Sequence, residues 1–576
     1  MSRILVALFG GVLLGILALL ACSPDDSATT TEQLVAADTV YANGKIYTVN
    51  EAQPWAEAVA TKGENILFVG SDNRVRAYIG PDTKVYDLGG KMMLPAFQDA
   101  HIHPISSALD MLSCSLYSDT SLQEYLQSLA DCADASPDAE WIRGGGWSMD
   151  VFGPGAIANK DLLDEIVPDR PVYLESKDGH SGWVNSRALQ VMGVDKTSPD
   201  PKDGIIDRDP MTGEAIGSLQ EDAVLLAYNA MPEWTVEERI GGLRYARDML
   251  HRLGITAIHT GYSDEKDLQA YLALDDKNEL NLRTATTFYW DANVDTDQLP
   301  GMLELSKRYE RGNLRPISAK IFQDGVMENF TAGMLEPYRT DDGGSGMQVF
   351  EPEALGALVT RLDAAGFQVH FHAIGDRATR QSLDAIAAAR QTNGELGHRH
   401  TIVHLQLIDT ADYERFAEFG VIANFQPYWA MADKYVTELV VPFIGAERSS
   451  RMYPIRSILD AGGRAAFGSD WAVSSADPLL GIETALTRLD PEGADYPPLN
   501  TDQAISLEQA IHGYTLGAAY QSHHESKNGS IEIGKLADLI VLDKNLFAIE
   551  PEAINEVSVV LTLFGGEPVF GNPAQM

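Results

Sequence analysis

Apolar residues along this chain fall into two regimes. Near both ends they come as short runs rich in β-branched and aromatic side chains, at 39–42, 45–49 and 65–70 and again at 537–542 and 558–564. Gly and Asn punctuate these runs, as expected for strands joined by turns. Both sets are predicted to build one small β-sandwich, assembled from two pieces that flank a central domain.

Between them, strand-like segments alternate with helical stripes. Leu355, Leu358, Val359 and Leu362 keep the i, i+3, i+4, i+7 spacing of a helix with one core-facing side. Strand candidates lie at 92–103, 255–260, 282–288, 317–324, 368–373, 401–406, 421–427 and 464–470, and they end at or near polar residues. Eight such units predict an α/β fold, a TIM-like (β/α)8 barrel whose chemistry sits at the C-terminal ends of its strands. An open doubly wound sheet is the structural alternative, but it finds no glycine-rich phosphate fingerprint here.

About 150 residues separate the first two strand candidates, far more than an ordinary connection. This insertion, at about 105–235, carries a strand of its own at 171–176. It leaves the first strand at its C-terminal end, so it should overhang the barrel mouth as a lid or specificity element. Its Trp147, Phe152 and Trp183 suit either a partly hydrophobic ligand or the core of the lid. The expected divisions are a leader at 1–21, a tether at 22–36, sandwich pieces at 37–92 and 528–576, and the barrel at 93–527.

The leader changes the picture of where the chain works. Arg3 precedes an apolar run at 4–20, and Leu19-Leu20-Ala21-Cys22 closes it. Such a run suits a signal-peptide core better than a membrane span. The cysteine resembles that of a bacterial lipobox, which implies cleavage before Cys22 and its acylation; an uncleaved anchor is the alternative. The reading is an exported protein, lipid-anchored to a bacterial membrane, periplasmic or at the cell surface. Outside the cytoplasm Cys114 and Cys132 can form a disulfide, stabilising by about 3 kcal/mol in the entropy model. Charge narrows the partners further: 43 basic against 83 acidic residues leave a net charge of −40. Nucleic acid and anionic membrane surfaces are thereby disfavoured. A small-molecule substrate remains, and the oligomeric state is open.

Candidate chemistry concentrates at the strand ends. In Phe97-Gln98-Asp99-Ala100-His101-Ile102-His103-Pro104 the two histidines, two apart on a strand, point to one side. Neutral imidazole is a common ligand of zinc and other divalent metals. His372, His404 and Asp470 end later strand candidates. With water completing the shell, such a set makes the open site of a catalytic zinc, able to polarise a carbonyl and acidify bound water. Asp470 can take the water's proton and pass it to a leaving nitrogen. For each histidine taken singly, a hydrogen-bonded core position is the alternative.

These motifs together are specific. His101-Ile102-His103, Lys320 in Lys-Ile-Phe-Gln-Asp-Gly, His372 in His-Ala-Ile-Gly-Asp-Arg, His404, Gly468-Ser469-Asp470 and the closing stretch from Gly529 to Asp538 resemble the amidohydrolase superfamily. More narrowly the chain is similar to the YtcJ-like amidohydrolases (amidohydrolase family 3), related to N-substituted formamide deformylases. The resemblance implies one or two divalent ions, zinc foremost. His101, His103 and Asp470 would hold one ion and His372 and His404 the other, with a carboxylated Lys320 as bridge. The alternative is an unmodified Lys320 paired with Asp324 or touching substrate, and Asp324 itself is counted among the expected substrate contacts. His370 then supports the ligands or meets the substrate, and His259 is either functional or structural. His180-Ser181-Gly182-Trp183-Val184-Asn185 resembles a recurrent segment of the narrower group. From it His180, Trp183 and Asn185 are expected to reach the substrate, with loop packing as the alternative. The implied activity is metal-dependent hydrolysis of a C–N bond of amide, N-acyl or N-formyl type. A deaminase or C–O hydrolase on the same site, and a lipoprotein that binds a ligand without turnover, are the competing readings.

Overall fold

In the computed structural model, which describes residues 35–152, 158–294, 297–341 and 343–576, eight parallel strands pair in sequence order. They are Phe97–Ile102, Ile255–Thr260, Arg283–Tyr289, Leu314–Phe322, Gln368–Ala373, Thr401–His404, Ile422–Phe425 and Arg464–Phe467. Strands two, five, six and seven are buried along their whole length, as parallel strands covered on both faces must be. The ladder does not pair the last strand with the first. Polar links join their ends instead: Asp470 N–H donates to His101 O at 2.8 Å, and Ser469 N–H donates to Asp99 Oδ1 at 3.1 Å. The sheet is thereby a nearly closed barrel, with its join at the mouth.

Helices cover the barrel for legible reasons. Pro352–Ala364 starts on a proline and buries Leu355, Leu358, Val359 and Leu362, the predicted stripe. Val236–Arg252 begins with a capping box between Thr235 and Glu238, satisfying amides that the helix leaves unpaired.

Two further sheets join the ends of the chain. One contains Thr39–Ala42, Ala58–Lys62, Asn65–Gly70 and Lys84–Asp87. The other mixes Lys45–Tyr47, Trp55–Ala56 and Met92–Pro95 with Leu539–Leu542, Val559–Phe564 and Glu567–Gly571. Tyr41, Val59 and Ile66 from the first sheet share a core with Met93, Val541 and Leu561 from the second. The expected strand at 92–103 is therefore two strands: Met92–Pro95 pairs with Leu539–Leu542 in the sandwich, and the barrel strand begins at Phe97.

The insertion folds on its own mixed six-stranded sheet around Val172–Ser176. A disulfide joins Cys114 to Cys132, whose Cα atoms are 5.5 Å apart. Trp147, Phe152 and Trp183 pack edge to face with ring centroids 5.3–6.1 Å apart. They are the core of the lid, which decides between the two readings of these aromatics. The leader, Cys22 and the tether to residue 34 lie outside the described residues. Among those described, no helix is long and apolar enough to cross a membrane.

Candidate active site

His101 ends the first strand, and His103 lies one step beyond it as the cap of helix Pro104–Leu112. Their rings stand nearly perpendicular, 5.3 Å apart. Both face Asp470: its Oδ1 is 3.4 Å from His101 Nε2 and 3.3 Å from His103 Nε2. Two glycines make room for this packing. A Cβ on Gly261 would fall 2.3 Å from the His103 ring, and one on Gly468 2.4 Å from the His101 amide. Asp99 ties the strand ends together, accepting from the amides of His101 and Ser469, each at 3.1 Å.

His404 and Asp470 both take left-handed backbone conformations, with φ of 80° and 54°. For side chains of this size that costs on the order of 1–3 kcal/mol, and such strain gathers at functional sites. The His404 ring stacks flat on Trp429 at 5.5 Å, and Gln426 Oε1 accepts from Nδ1–H at 3.0 Å. His372 is fixed the same way: its Nδ1 is 3.2 Å from Asp324 Oδ1. Asp324 also accepts from the amides of Gly333, Ile374 and Gly375. In both histidines the partner at Nδ1 assigns the tautomer and leaves Nε2 unprotonated, with its lone pair free. The two rings lie 4.6 Å apart.

His101, His404 and Asp470 place one donor atom each within 4.8 Å of one another. His101 Nε2 and Asp470 Oδ1 are buried and neither makes a hydrogen bond. A buried nitrogen and carboxylate oxygen left facing each other fit a cation between them. Burial pushes the His101 imidazole down to about 3 and those of His372 and His404 well below their usual value, so their lone pairs are free to bind a metal. Burial works against charge on Asp470 too, but the facing His101 and His103 hold its carboxyl well below the usual range. The donor set of imidazoles and one carboxylate suits zinc or a similar divalent ion.

Lys320, on the fourth strand, is fully buried, and burial lowers its amine to about 7. Its Nζ lies 4.9 Å from the centre of the Phe322 ring. Among the described residues no ion pair joins it to Asp324, whose oxygens serve His372 and backbone amides instead. The alternative pairing of Lys320 with Asp324 gives way to this supporting position behind a candidate ligand, and Asp324 also lines the cavity.

From the insertion, His180 reaches the barrel and lies 5.1 Å from the His372 ring. Its Nδ1–H donates to Glu221 Oε2 at 2.7 Å. Burial opposes its charge, yet Glu221 raises it to about 9, so it stands over the site as a cationic donor. No local signal marks Glu221, which is distant in sequence and meets His180 only in the fold.

Trp183 and Asn185 do not reach the cavity. Trp183 is buried and donates Nε1–H to Asn159 O at 2.9 Å. Asn185 caps helix Ser186–Met192, accepts from Val172 N–H and donates to Val167 O and Arg170 O. Both build the lid. His370 and His259 sit deeper in the barrel: His370 Nε2 is 2.8 Å from His101 Nδ1, and His259 Nε2 is 2.8 Å from Ser318 Oγ. His370 thus backs a candidate ligand, and neither histidine lines the cavity. Gln426, Asp99 and Glu221 complete the site without having been singled out in the sequence.

A cavity of about 620 Å³ opens above these residues, lined by His101, His103, Lys320, His372, His404 and Asp470 below and by the insertion above. Residues 84–570 match the model of the amidohydrolase family. The chain is 31% identical to the protein YtcJ of Bacillus subtilis over 539 residues, covering 92% of this chain and 99% of that protein. It is 27% identical over 546 residues to the N-substituted formamide deformylase of Arthrobacter pascens, covering 92% and 97% respectively. Among solved structures, an uncharacterized metal-dependent hydrolase from Pyrococcus horikoshii OT3 superposes with a TM-score of 0.70 at 25% identity, over 89% of this chain and 99% of that one.

Proposed function

The chain belongs to the amidohydrolase family, and on that footing we propose that it hydrolyses a carbon–nitrogen bond of amide, N-acyl or N-formyl type. The observation that carries this reading is the buried, unbonded pair of His101 Nε2 and Asp470 Oδ1 at the floor of the cavity. The kinship with a formamide deformylase and with a metal-dependent hydrolase supports it.

His101, His103, His372, His404 and Asp470 would hold one or two divalent ions, zinc foremost. Such an ion supplies Lewis-acid polarisation of the scissile carbonyl and makes water acidic enough to lose a proton near neutrality. Asp470, held ionised just beyond the last strand, would accept a proton from the attacking water and return it to the leaving nitrogen. His180, kept charged by Glu221, offers a hydrogen bond to the substrate from above. Asp324 and Gln426 hold His372 and His404 in the tautomer that the ligand role needs. Lys320 is buried without a carboxylate partner, and its uncharged amine is the form that adds to carbon dioxide. The resulting anion would bridge two ions.

The Cys114–Cys132 disulfide supports the reading of the leader as an export signal, because such bonds persist mainly in oxidising compartments. Acylation at Cys22 remains part of that proposal, and mass spectrometry of the membrane-extracted protein tests it. For the activity, the test is hydrolysis of simple N-formyl and N-acyl amines before and after chelation. Loss of turnover with an unchanged circular dichroism spectrum is expected; turnover untouched by complete metal removal contradicts the proposal.

A further inference from the structure

The first five barrel strands each bring one ring to the wall of the cavity: His103, Tyr262, Tyr289, Phe322 and His372. His103 follows the first strand and Tyr262 the second, Tyr289 and Phe322 close the third and fourth, and His372 lies on the fifth. Each ring meets the next. His103 and Tyr262 have centroids 5.0 Å apart, Tyr262 and Tyr289 6.0 Å, Tyr289 and Phe322 5.9 Å, and Phe322 and His372 4.8 Å. The result is an arc of rings along five of the eight strand ends, with a candidate metal ligand at either end.

Backbone bonds between neighbouring strand ends hold the arc in place. Beside the rings, Gly261 N–H donates to Ile102 O at 2.8 Å and Ser263 N–H to Thr287 O at 2.7 Å. Trp290 N–H donates to Lys320 O at 2.9 Å, and Gln323 N–H to His372 O at 3.2 Å. The rings are thereby positioned by the barrel itself, as the wall of a pre-formed ligand pocket is.

Two of these rings are left uncovered. Tyr262 and Tyr289 keep 42% and 37% of their surface open where they line the cavity. Among the described residues neither hydroxyl makes a hydrogen bond. Desolvation, then neighbouring carboxylates, chiefly Glu175 at Tyr262 and Asp222 at Tyr289, push both phenols up, so the rings stay neutral. The carboxylates around them already accept hydrogen bonds: Asp264 and Asp267 from Arg239, Asp222 from Asn293 and Glu175 from Tyr228. Asp110 and Lys177 also line the cavity, each without an ion pair among the described residues and opposite in charge. Tyr262, Tyr289 and Phe322 themselves offer only uncharged ring faces and edges.

We propose that the arc is a subsite for a neutral aromatic substituent of the substrate, received by the open rings of Tyr262 and Tyr289 with Phe322 as its far wall. Aromatic rings attract one another in offset and edge-to-face arrangements by more than the area they bury. The tilted and edge-on rings of the arc leave room for such contacts with a further ring. Because the arc ends at His103 and His372, a ring seated on it keeps an attached carbonyl beside the candidate ligands. As a statement about substrate the inference rests on the hydrolase reading; as a statement about binding it does not.

Calorimetric titration of the zinc-loaded protein with benzyl alcohol and cyclohexylmethanol separates the two. The saturated ring is the more hydrophobic, so burial of apolar area alone would favour cyclohexylmethanol. The arc should instead bind benzyl alcohol several-fold more tightly. Combining Tyr262→Leu with Tyr289→Leu keeps apolar side chains but removes both rings, and should reverse that order. Combining Tyr262→Phe with Tyr289→Phe keeps the rings and should preserve it. Cyclohexylmethanol binding as tightly as benzyl alcohol in the parent overturns the subsite, and so does a preference that survives the leucine pair. Loss of the preference in the phenylalanine pair, with the fold retained by circular dichroism, also overturns it, because hydroxyls rather than rings would then carry the binding. Should the leucine pair fail to fold, the parent and the phenylalanine pair still decide. These ligands need no turnover, so a protein that prefers benzyl alcohol but hydrolyses no amide sinks the hydrolase reading alone.

Discussion

His101 Nε2 and Asp470 Oδ1 stand 3.4 Å apart at the floor of the cavity, both buried and neither hydrogen-bonded. Unpaired buried polar atoms are rare and each carries a desolvation cost. Here they lie at the ends of the first and last strands, which the ladder does not pair with each other, and the Asp470 amide bonds to the His101 carbonyl at that join. The chain thus places two facing donors in a geometry that a cation between them would complete.

Asp470 is assigned both as ligand and as base. Asp470→Asn keeps shape and volume, so the barrel should remain folded while turnover falls at least ~100-fold, in line with loss of a general base. Turnover of an N-formyl amine, with circular dichroism as the control, checks this. Near-normal turnover removes Asp470 from that role.

His180 belongs to the insertion and lines the cavity. His180→Gln should shift relative kcat/KM values among N-acyl substrates while leaving metal content as in the parent. It also strands the Glu221 carboxylate, and breaking a buried pair costs about 3–5 kcal/mol, so a lower unfolding midpoint is expected. Loss of metal in this variant would instead place His180 among the ligands.

Asn185 is structural in this account. Asn185→Ala removes a helix cap and leaves backbone groups of Val172, Val167 and Arg170 without their partner, a loss on the order of 3 kcal/mol. Faster hydrogen exchange across the insertion, with metal content unchanged, is the expected signature. A raised KM without that loosening would return Asn185 to the substrate.

Acid sensitivity follows from His251, remote from the site. Its Nε2–H donates to Asn281 O at 3.0 Å, its carbonyl accepts from Thr562 in the C-terminal piece, and burial lowers its pKa to about 4. The unfolded chain takes up this proton near 6.5 and the folded one does not. Stability is therefore full above about pH 6.5 and declines as pH falls toward about 4, by roughly 2 kcal/mol at pH 5. Urea midpoints at pH 7 and pH 5 should differ less in His251→Gln than in the parent. Equal differences contradict the assignment.

Much of this arrangement is legible in the chain because it is local. The helix stripe from Leu355 to Leu362, the strand at 368–373 and the histidines at strand ends are set by periodicity and by position before a turn. The break at Ala96 is not, because Met92–Pro95 and Phe97–Ile102 read as one apolar run until Leu539–Leu542 claims the first part. Trp183 and Asn185 misled for a related reason: beside His180 they share a motif, but on a strand and the following cap they serve the lid while His180 reaches the barrel. Glu221, Gln426 and Asp99 are partners that sequence spacing does not announce. Each acts through a contact that exists only after the barrel and its insertion have closed.

The central claim is a metal centre that these donors would hold, with a carboxylated Lys320 supplying the anion shared by two ions. Metal analysis of protein purified without chelator, beside Lys320→Ala, tests it most directly. The account predicts about two transition-metal ions per chain, the separation-bridging arrangement of two-metal hydrolases, falling in the variant and recovering with added short carboxylates. One tightly held ion, unchanged by the substitution, would contradict the bridged centre, and a chain that holds none would contradict the metal site altogether.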